Sequence, residues 1–90
     1  MKIEFKFGRK VVKTFDNMDD TNLLLRKLLA IRNDDSAWEI GEYTMGNNVE
    51  IGLIAAFKIE ELLGKVVDVF DSLTIWVNGI KVRRVWSKGF

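Results

Sequence analysis

Apolar and charged residues alternate at the start of the chain. Residues 3–7, Ile-Glu-Phe-Lys-Phe, have the two-residue period of a half-buried β-strand, and a second strand-like run extends from Lys10 to Phe15. Gly8 and Arg9 stand between the two runs, and glycine favours a tight turn. The pattern therefore predicts a β-hairpin in this first segment.

The strongest local signal lies near the other end, where residues 73–77 and 80–83 alternate around Asn78-Gly79. This dipeptide readily adopts the positive φ angles that a type I′ turn requires, so the pattern predicts another hairpin. In a regular antiparallel register a two-residue turn brings Ile75 opposite Val82. We expect that register here.

Two segments have the period of an amphipathic helix. The first spans about residues 19–32, and Asn17, Asp19 and Asp20 supply a cap and acidic residues at its start. The second spans residues 57–70, with apolar residues on one face and charged residues on the other. Both helices are expected to bury their apolar faces.

Between these helices the chain alternates again, from Trp38 to Ile54, around a turn-rich cluster of residues 45–48. This pattern predicts a middle hairpin. The expected fold is therefore α+β, with the order ββαββαββ and a mainly antiparallel sheet built from three hairpins. The two amphipathic helices are expected to pack on one face of that sheet.

Size and composition are those of a small globular protein. The chain has 90 residues, of which 48% are apolar and 30% charged, so we expect one domain over residues 1–90. A chain this short has modest stability, and a partner or self-association can complete it. The absence of cysteine suits a reducing, cytoplasmic compartment. Because no apolar run could span a bilayer, we expect no membrane association.

The side chains best suited to catalysis near neutral pH are missing. The chain has no histidine and no cysteine, and no serine, threonine or lysine stands in a recognisable catalytic motif. Glu4-Phe5-Lys6 resembles half of a metal-dependent nuclease signature, but no acidic residue precedes it, and strand alternation explains it. We therefore expect no enzymatic activity, no cofactor and no metal site.

Charge is segregated along the chain, although the net charge is only +1. Residues 1–14 carry five bases and one acid, and residues 76–90 carry four bases and no acid. Residues 15–50 carry three bases and eight acids. The two ends are thus basic and the middle is acidic, so the chain offers two oppositely charged segments as alternative candidates for a binding surface.

The acidic middle favours a non-enzymatic protein-binding module of the adaptor or inhibitor type. The residues predicted to bind the protein partner, whose identity the sequence does not reveal, are Glu39, Glu42, Tyr43 and Glu50. An ordinary polar face of a hairpin is the other explanation of this group. The short length, the lack of proline and the many Asn, Asp and Lys residues also suit an accessory protein of a phage or other mobile element.

The alternative function is nucleic-acid binding by the two terminal hairpins. If these hairpins lie side by side, their lysine and arginine side chains neutralise phosphates. In the regular register Trp76 lies on the same face as Lys81 and Arg83, and its ring stacks on a nucleic-acid base. Solvated strand faces are the other explanation. The predicted nucleic-acid-binding residues are Lys6, Arg9, Lys10, Lys13, Trp76, Lys81, Arg83, Arg84 and Lys88.

Overall fold

Six strands, two α-helices and one short 3-10 helix make up the computed structural model, which describes residues 1–42 and 49–87. In chain order the elements are β1 (Ile3–Phe7), β2 (Lys10–Phe15), α1 (Met18–Arg32), the 3-10 helix (Asp35–Trp38), β3 (Ile40–Glu42), β4 (Val49–Ile51), α2 (Leu53–Leu63), β5 (Leu73–Val77) and β6 (Ile80–Trp86). The α+β class is thereby confirmed.

The strands form two separate sheets. A four-stranded antiparallel sheet has the order β2-β1-β5-β6, and β3 pairs only with β4. The prediction of one sheet built from three hairpins is therefore wrong, because the main sheet has four strands and omits the middle hairpin. The physical reason is the match between β1 and β5, which bury their alternate residues together, whereas β3 and β4 are only three residues long.

The first helix, α1, begins where its capping residues predict. The Asn17 side chain accepts a hydrogen bond from the backbone N–H of Asp20 at 2.9 Å, and the Thr21 hydroxyl donates to the Asn17 carbonyl at 2.7 Å. These bonds satisfy polar groups at the helix start that would otherwise be unpaired. The predicted span of residues 19–32 is confirmed to within one residue.

The second helix, α2, lies several residues earlier than the predicted span of 57–70. It ends at Gly64, which has a left-handed backbone with φ of +69° and donates its N–H to the Glu60 carbonyl at 2.8 Å. A glycine in this conformation is a common helix terminator, because it has no Cβ to clash. Val66, predicted to lie on the apolar helix face, is 74% exposed.

The core lies between the four-stranded sheet and both α-helices. Alternate residues of β1 and β5 point toward the helices, and the buried residues of α1 and α2 join the same cluster. We call this side of the sheet the covered face. Its largest fully buried side chains are Phe5, Ile3, Leu28, Ile59, Leu73 and Val12, together with Thr21. Burial of these side chains is the main source of stability.

The 3-10 helix bridges α1 and α2. The Trp38 indole donates to the Ile31 carbonyl at 3.0 Å, and Lys58 of α2 forms an ion pair with Asp34 at 3.4 Å. The Ser36 hydroxyl hydrogen-bonds Asp34 at 2.6 Å and, with Lys58, lowers the pKa of that carboxyl. In the described part of the chain no helix is long and apolar enough to cross a membrane.

Candidate functional site

The two basic hairpins lie side by side in the sheet. β1 pairs with β5 in antiparallel register, with Glu4 opposite Trp76 and Lys6 opposite Thr74. The hairpins β1–β2 and β5–β6 are thus joined through their inner strands, although more than sixty residues separate β1 from β5 in the chain. Their bases can therefore contribute to one surface.

Irregular pairing between β5 and β6 changes which bases reach that surface. Val77 lies opposite Ile80 across the turn, but Ile75 pairs with Arg83 and not with Val82, so the predicted regular register is wrong. Val82 is the extra residue of a β-bulge. Arg83 consequently shares the face of buried Ile75, and it lines a small cavity of about 110 Å³ against α1.

The same bulge leaves Lys81 opposite Trp76 and brings Arg84 opposite Thr74. Partners in an antiparallel pair project to the same side, so Lys81 and Arg84 lie on the side of the sheet away from the helices. We call this side the open face. The side chains of Lys81 and Arg84 are both exposed.

The open face is built from two rows of residues that run across the four strands. Within each row every residue lies opposite the next, as the pairings of β2 with β1, β1 with β5 and β5 with β6 show. The rows, in the order β2, β1, β5, β6, are Thr14, Glu4, Trp76, Lys81 and Val11, Lys6, Thr74, Arg84. The Trp76 ring thus lies near the middle of the sheet, and lysine and arginine side chains lie in the neighbouring positions.

Trp76 has a defined setting on this face. Its indole Nε1 donates to the Thr74 hydroxyl at 2.9 Å, so the polar edge of the ring is already satisfied within the protein. The Lys6 Nζ lies 4.1 Å from the centroid of the Trp76 ring, which is the geometry of a cation–π interaction. The ring is partly buried.

One carboxylate lies among the bases. Glu4 forms an ion pair with Lys2 at 3.9 Å, and its side chain is only 14% exposed because neighbouring side chains cover it. The open face therefore combines one acid with four cations, Lys2, Lys6, Lys81 and Arg84. The sequence prediction did not include Lys2 or Glu4, although the spacing of Lys2, Glu4 and Lys6 by two residues was a signal for a shared face.

Other predicted nucleic-acid-binding bases lie elsewhere. Lys10 is opposite Phe7 and Lys13 is opposite Phe5, so both side chains leave the backbone on the covered face. The Lys10 ammonium donates a hydrogen bond to the Val66 carbonyl at 2.9 Å. Arg9 is exposed in the turn between β1 and β2. Lys88 lies outside the described residues. The predicted residues that share the open face are therefore four of the nine: Lys6, Trp76, Lys81 and Arg84.

Of the residues predicted to bind a protein partner, the structure describes the side chain of Glu39 alone. Glu39 is exposed after the 3-10 helix, and the backbones of Glu42 and Glu50 belong to β3 and β4. Tyr43, the expected aromatic anchor, lies outside the described residues. Among the side chains that the structure describes, no group of three or more acidic residues is arranged to hold a metal ion.

Comparison with protein families, with characterised proteins and with solved structures finds no match to this chain. The geometry of the open face is therefore the basis for a functional conclusion.

Proposed function

We propose that this protein binds nucleic acid through the open face of its four-stranded sheet. The observation that carries the proposal is the pairing of β1 with β5, which joins the two basic hairpins and brings the Lys6 ammonium over the Trp76 ring. Bases clustered on one exposed surface attract a phosphate backbone even when the net charge of the whole protein is close to neutral.

The size of the surface suggests modest, salt-sensitive affinity. Four cations that contact phosphates release about three counterions from a single strand, since each contact contributes about 0.7 to the slope of log affinity against log salt concentration. Raising the salt concentration from 50 to 200 mM then weakens binding roughly 50-fold. We expect such a protein to act by binding to the nucleic acid and covering it, and not by catalysing a reaction.

Protein recognition by Glu39, Glu42, Tyr43 and Glu50 remains the second hypothesis, and the exposure of Glu39 is its only support among these side chains. Replacing Glu39, Glu42 and Glu50 with Lys should weaken capture of a protein partner while the circular dichroism stays unchanged. Unaltered capture by this triple variant would remove the hypothesis.

The test of nucleic-acid binding compares two matched double variants by fluorescence anisotropy with labelled oligonucleotides at 50 mM salt. Lys81→Glu with Arg84→Glu removes two cations from the open face, whereas Lys13→Glu with Arg83→Glu makes the same charge change on the covered-face side. We expect the first variant to lose at least about tenfold in affinity and the second to lose much less. Thermal unfolding of both variants controls for folding.

Equal losses in the two variants would mean that only net charge matters, and the proposal would fail. It would also fail if wild-type protein bound no oligonucleotide at 50 mM salt. Poly-L-glutamate provides a further control, because it carries dense negative charge without phosphates or bases. Equal binding of this polymer and of the oligonucleotides would identify a general polyanion surface instead of a nucleic-acid site.

A further inference from the structure

The open face has one described aromatic ring on which a base can stack. The buried aromatic side chains of the sheet, Phe5, Phe7 and Trp86, contribute to the core instead. Trp76 lies on the inner strand β5, with Glu4 on one side and Lys81 on the other. A ligand that follows the basic residues therefore passes over or beside this ring.

The Trp76 ring is not bare in the free protein. The Lys6 ammonium, 4.1 Å from the ring centroid, occupies the region above the ring that a stacked base would fill. Lys6 has a long, flexible side chain, and its ammonium can leave the ring and pair with a phosphate. Lys6 and Trp76 are both partly buried. A cation–π interaction corresponds to about 2- to 5-fold in an equilibrium constant at an exposed site and to more when it is desolvated, whereas stacking of one base corresponds to about 5- to 100-fold.

We infer that the preferred ligand is single stranded, and that one of its bases stacks on Trp76 in the place that the Lys6 ammonium occupies in the free protein. This inference rests on the proposed function. Bases in a duplex are paired and stacked, so their faces are not available to an aromatic side chain, and duplex contacts on this surface reduce to charge alone.

The charges on the open face indicate where the phosphates lie. Glu4, in the same row as Trp76, repels a phosphate placed directly over it. Lys81 and Arg84 on β6 form a basic track on the other side of the indole, and Lys6 on β1 lies in the same row of residues as Arg84. The backbone of the strand is expected to follow that track while one base turns inward onto the ring.

Three labelled ligands test the inference by anisotropy at 50 mM salt: a mixed-sequence 12-nucleotide strand, the same strand with abasic sites at every position, and the 12-base-pair duplex. The intact strand is studied as DNA and as RNA. We expect wild-type protein to bind the intact strand about 5- to 100-fold more tightly than the abasic strand, and more tightly than the duplex.

Two substitutions of the same residue separate stacking from packing. Trp76→Phe keeps an aromatic ring and should retain most of the preference for the intact strand. Trp76→Leu keeps an apolar side chain that cannot stack, and should bind the intact and abasic strands equally. Thermal unfolding of both variants shows whether Leu and Phe are equally well accommodated.

Lys6→Gln provides an independent readout. It removes one phosphate contact, so affinity for every ligand should fall, but it also uncovers the ring. The ratio of affinities for the intact and abasic strands should therefore rise about 2- to 5-fold. An unchanged or smaller ratio would show that Lys6 does not compete with the base.

The outcomes distinguish this inference from the proposed function. If wild-type protein binds the intact strand, the abasic strand and the duplex equally, nucleic-acid binding stands and base stacking is overturned. A preference for the intact strand that survives in Trp76→Leu would also overturn it. Failure to bind any of the ligands at 50 mM salt would overturn both.

Discussion

The first and last hairpins have similar composition but distribute their bases differently. Each contains a tight turn with glycine, followed by lysine, valine and further bases. In the first hairpin Lys10 and Lys13 lie opposite buried phenylalanines, on the covered face. In the last hairpin Lys81 and Arg84 lie on the open face, around Trp76. The composition of a hairpin therefore does not predict on which face of the sheet its lysine and arginine side chains lie.

Each second strand has a bulge at the third position after its turn, so the difference lies in which residues occupy the matching positions of β2 and β6. In β2 the extra residue is Val12, which is 1% exposed and belongs to the core. In β6 an extra residue is Val82, which is 58% exposed. Lysine follows the turn directly in β2 but stands one position later in β6, so Lys10 starts on the covered face and Lys81 on the open face.

The largest expected effect is on the core side of the first hairpin. Phe5 is completely buried and contacts Phe15 edge to face, with ring centroids 6.0 Å apart. Phe5→Ala should destabilise the protein by about 3–5 kcal/mol through loss of burial and the cavity left behind. Urea unfolding followed by circular dichroism measures the change. A loss below about 1 kcal/mol would contradict the described core.

The two bulge residues offer a matched comparison of the same substitution. Val12→Ala should cost about 2 kcal/mol, because a buried side chain loses two carbon atoms. Val82→Ala should change the free energy of unfolding by less than about 0.5 kcal/mol, because Val82 is mostly exposed. Urea midpoints of the two variants are the measurement. Equal destabilisation would show that the bulges are not placed as described.

The turn glycines provide a smaller contrast. Gly8 and Gly79 both have positive φ angles, +58° and +80°, so alanine at either position costs about 1 kcal/mol. A Cβ on Gly8 would also lie 2.8 Å from an Asp71 carboxylate oxygen, whereas nothing lies within 4 Å at Gly79. Gly8→Ala should therefore be the more destabilising, by up to about 1 kcal/mol.

Asp71→Ala supplies the control for this contrast. In that background the cost of Gly8→Ala should fall to the cost of Gly79→Ala, because only the contact with the Asp71 side chain is relieved. Thermal or urea unfolding of the double variant measures this. If the cost of Gly8→Ala did not change, the extra strain would have another source.

The smallest expected effect distinguishes two adjacent arginines. Arg84→Gln should lower the slope of log affinity for a single strand against log salt concentration by about 0.7, the value of one phosphate contact. Arg83→Gln should leave the slope nearly unchanged, because Arg83 shares the face of Ile75 and lines the cavity against α1. Anisotropy titrations at several salt concentrations measure both slopes. The opposite result would show that Arg83 lies on the open face, as in the regular register.

Much of the fold follows from local signals in the sequence. Alternation and turn residues predicted the two terminal hairpins, and Asn17 with the acidic residues after it predicted the start of α1. Gly64 was also a local signal, and a stricter interpretation of it would have ended α2 correctly. These signals act over a few residues, through backbone conformation and short-range hydrogen bonds, and are visible without knowledge of the rest of the chain.

The sequence by itself determined that both ends are basic and that histidine and cysteine chemistry is absent. Only the tertiary structure decided that β1 lies beside β5, that the middle hairpin stays outside the main sheet, and that Arg84 instead of Arg83 joins Trp76. Pairing between distant strands depends on how whole apolar faces fit over the helices, and a bulge forms where that fit requires one more residue. No short stretch of sequence carries that information.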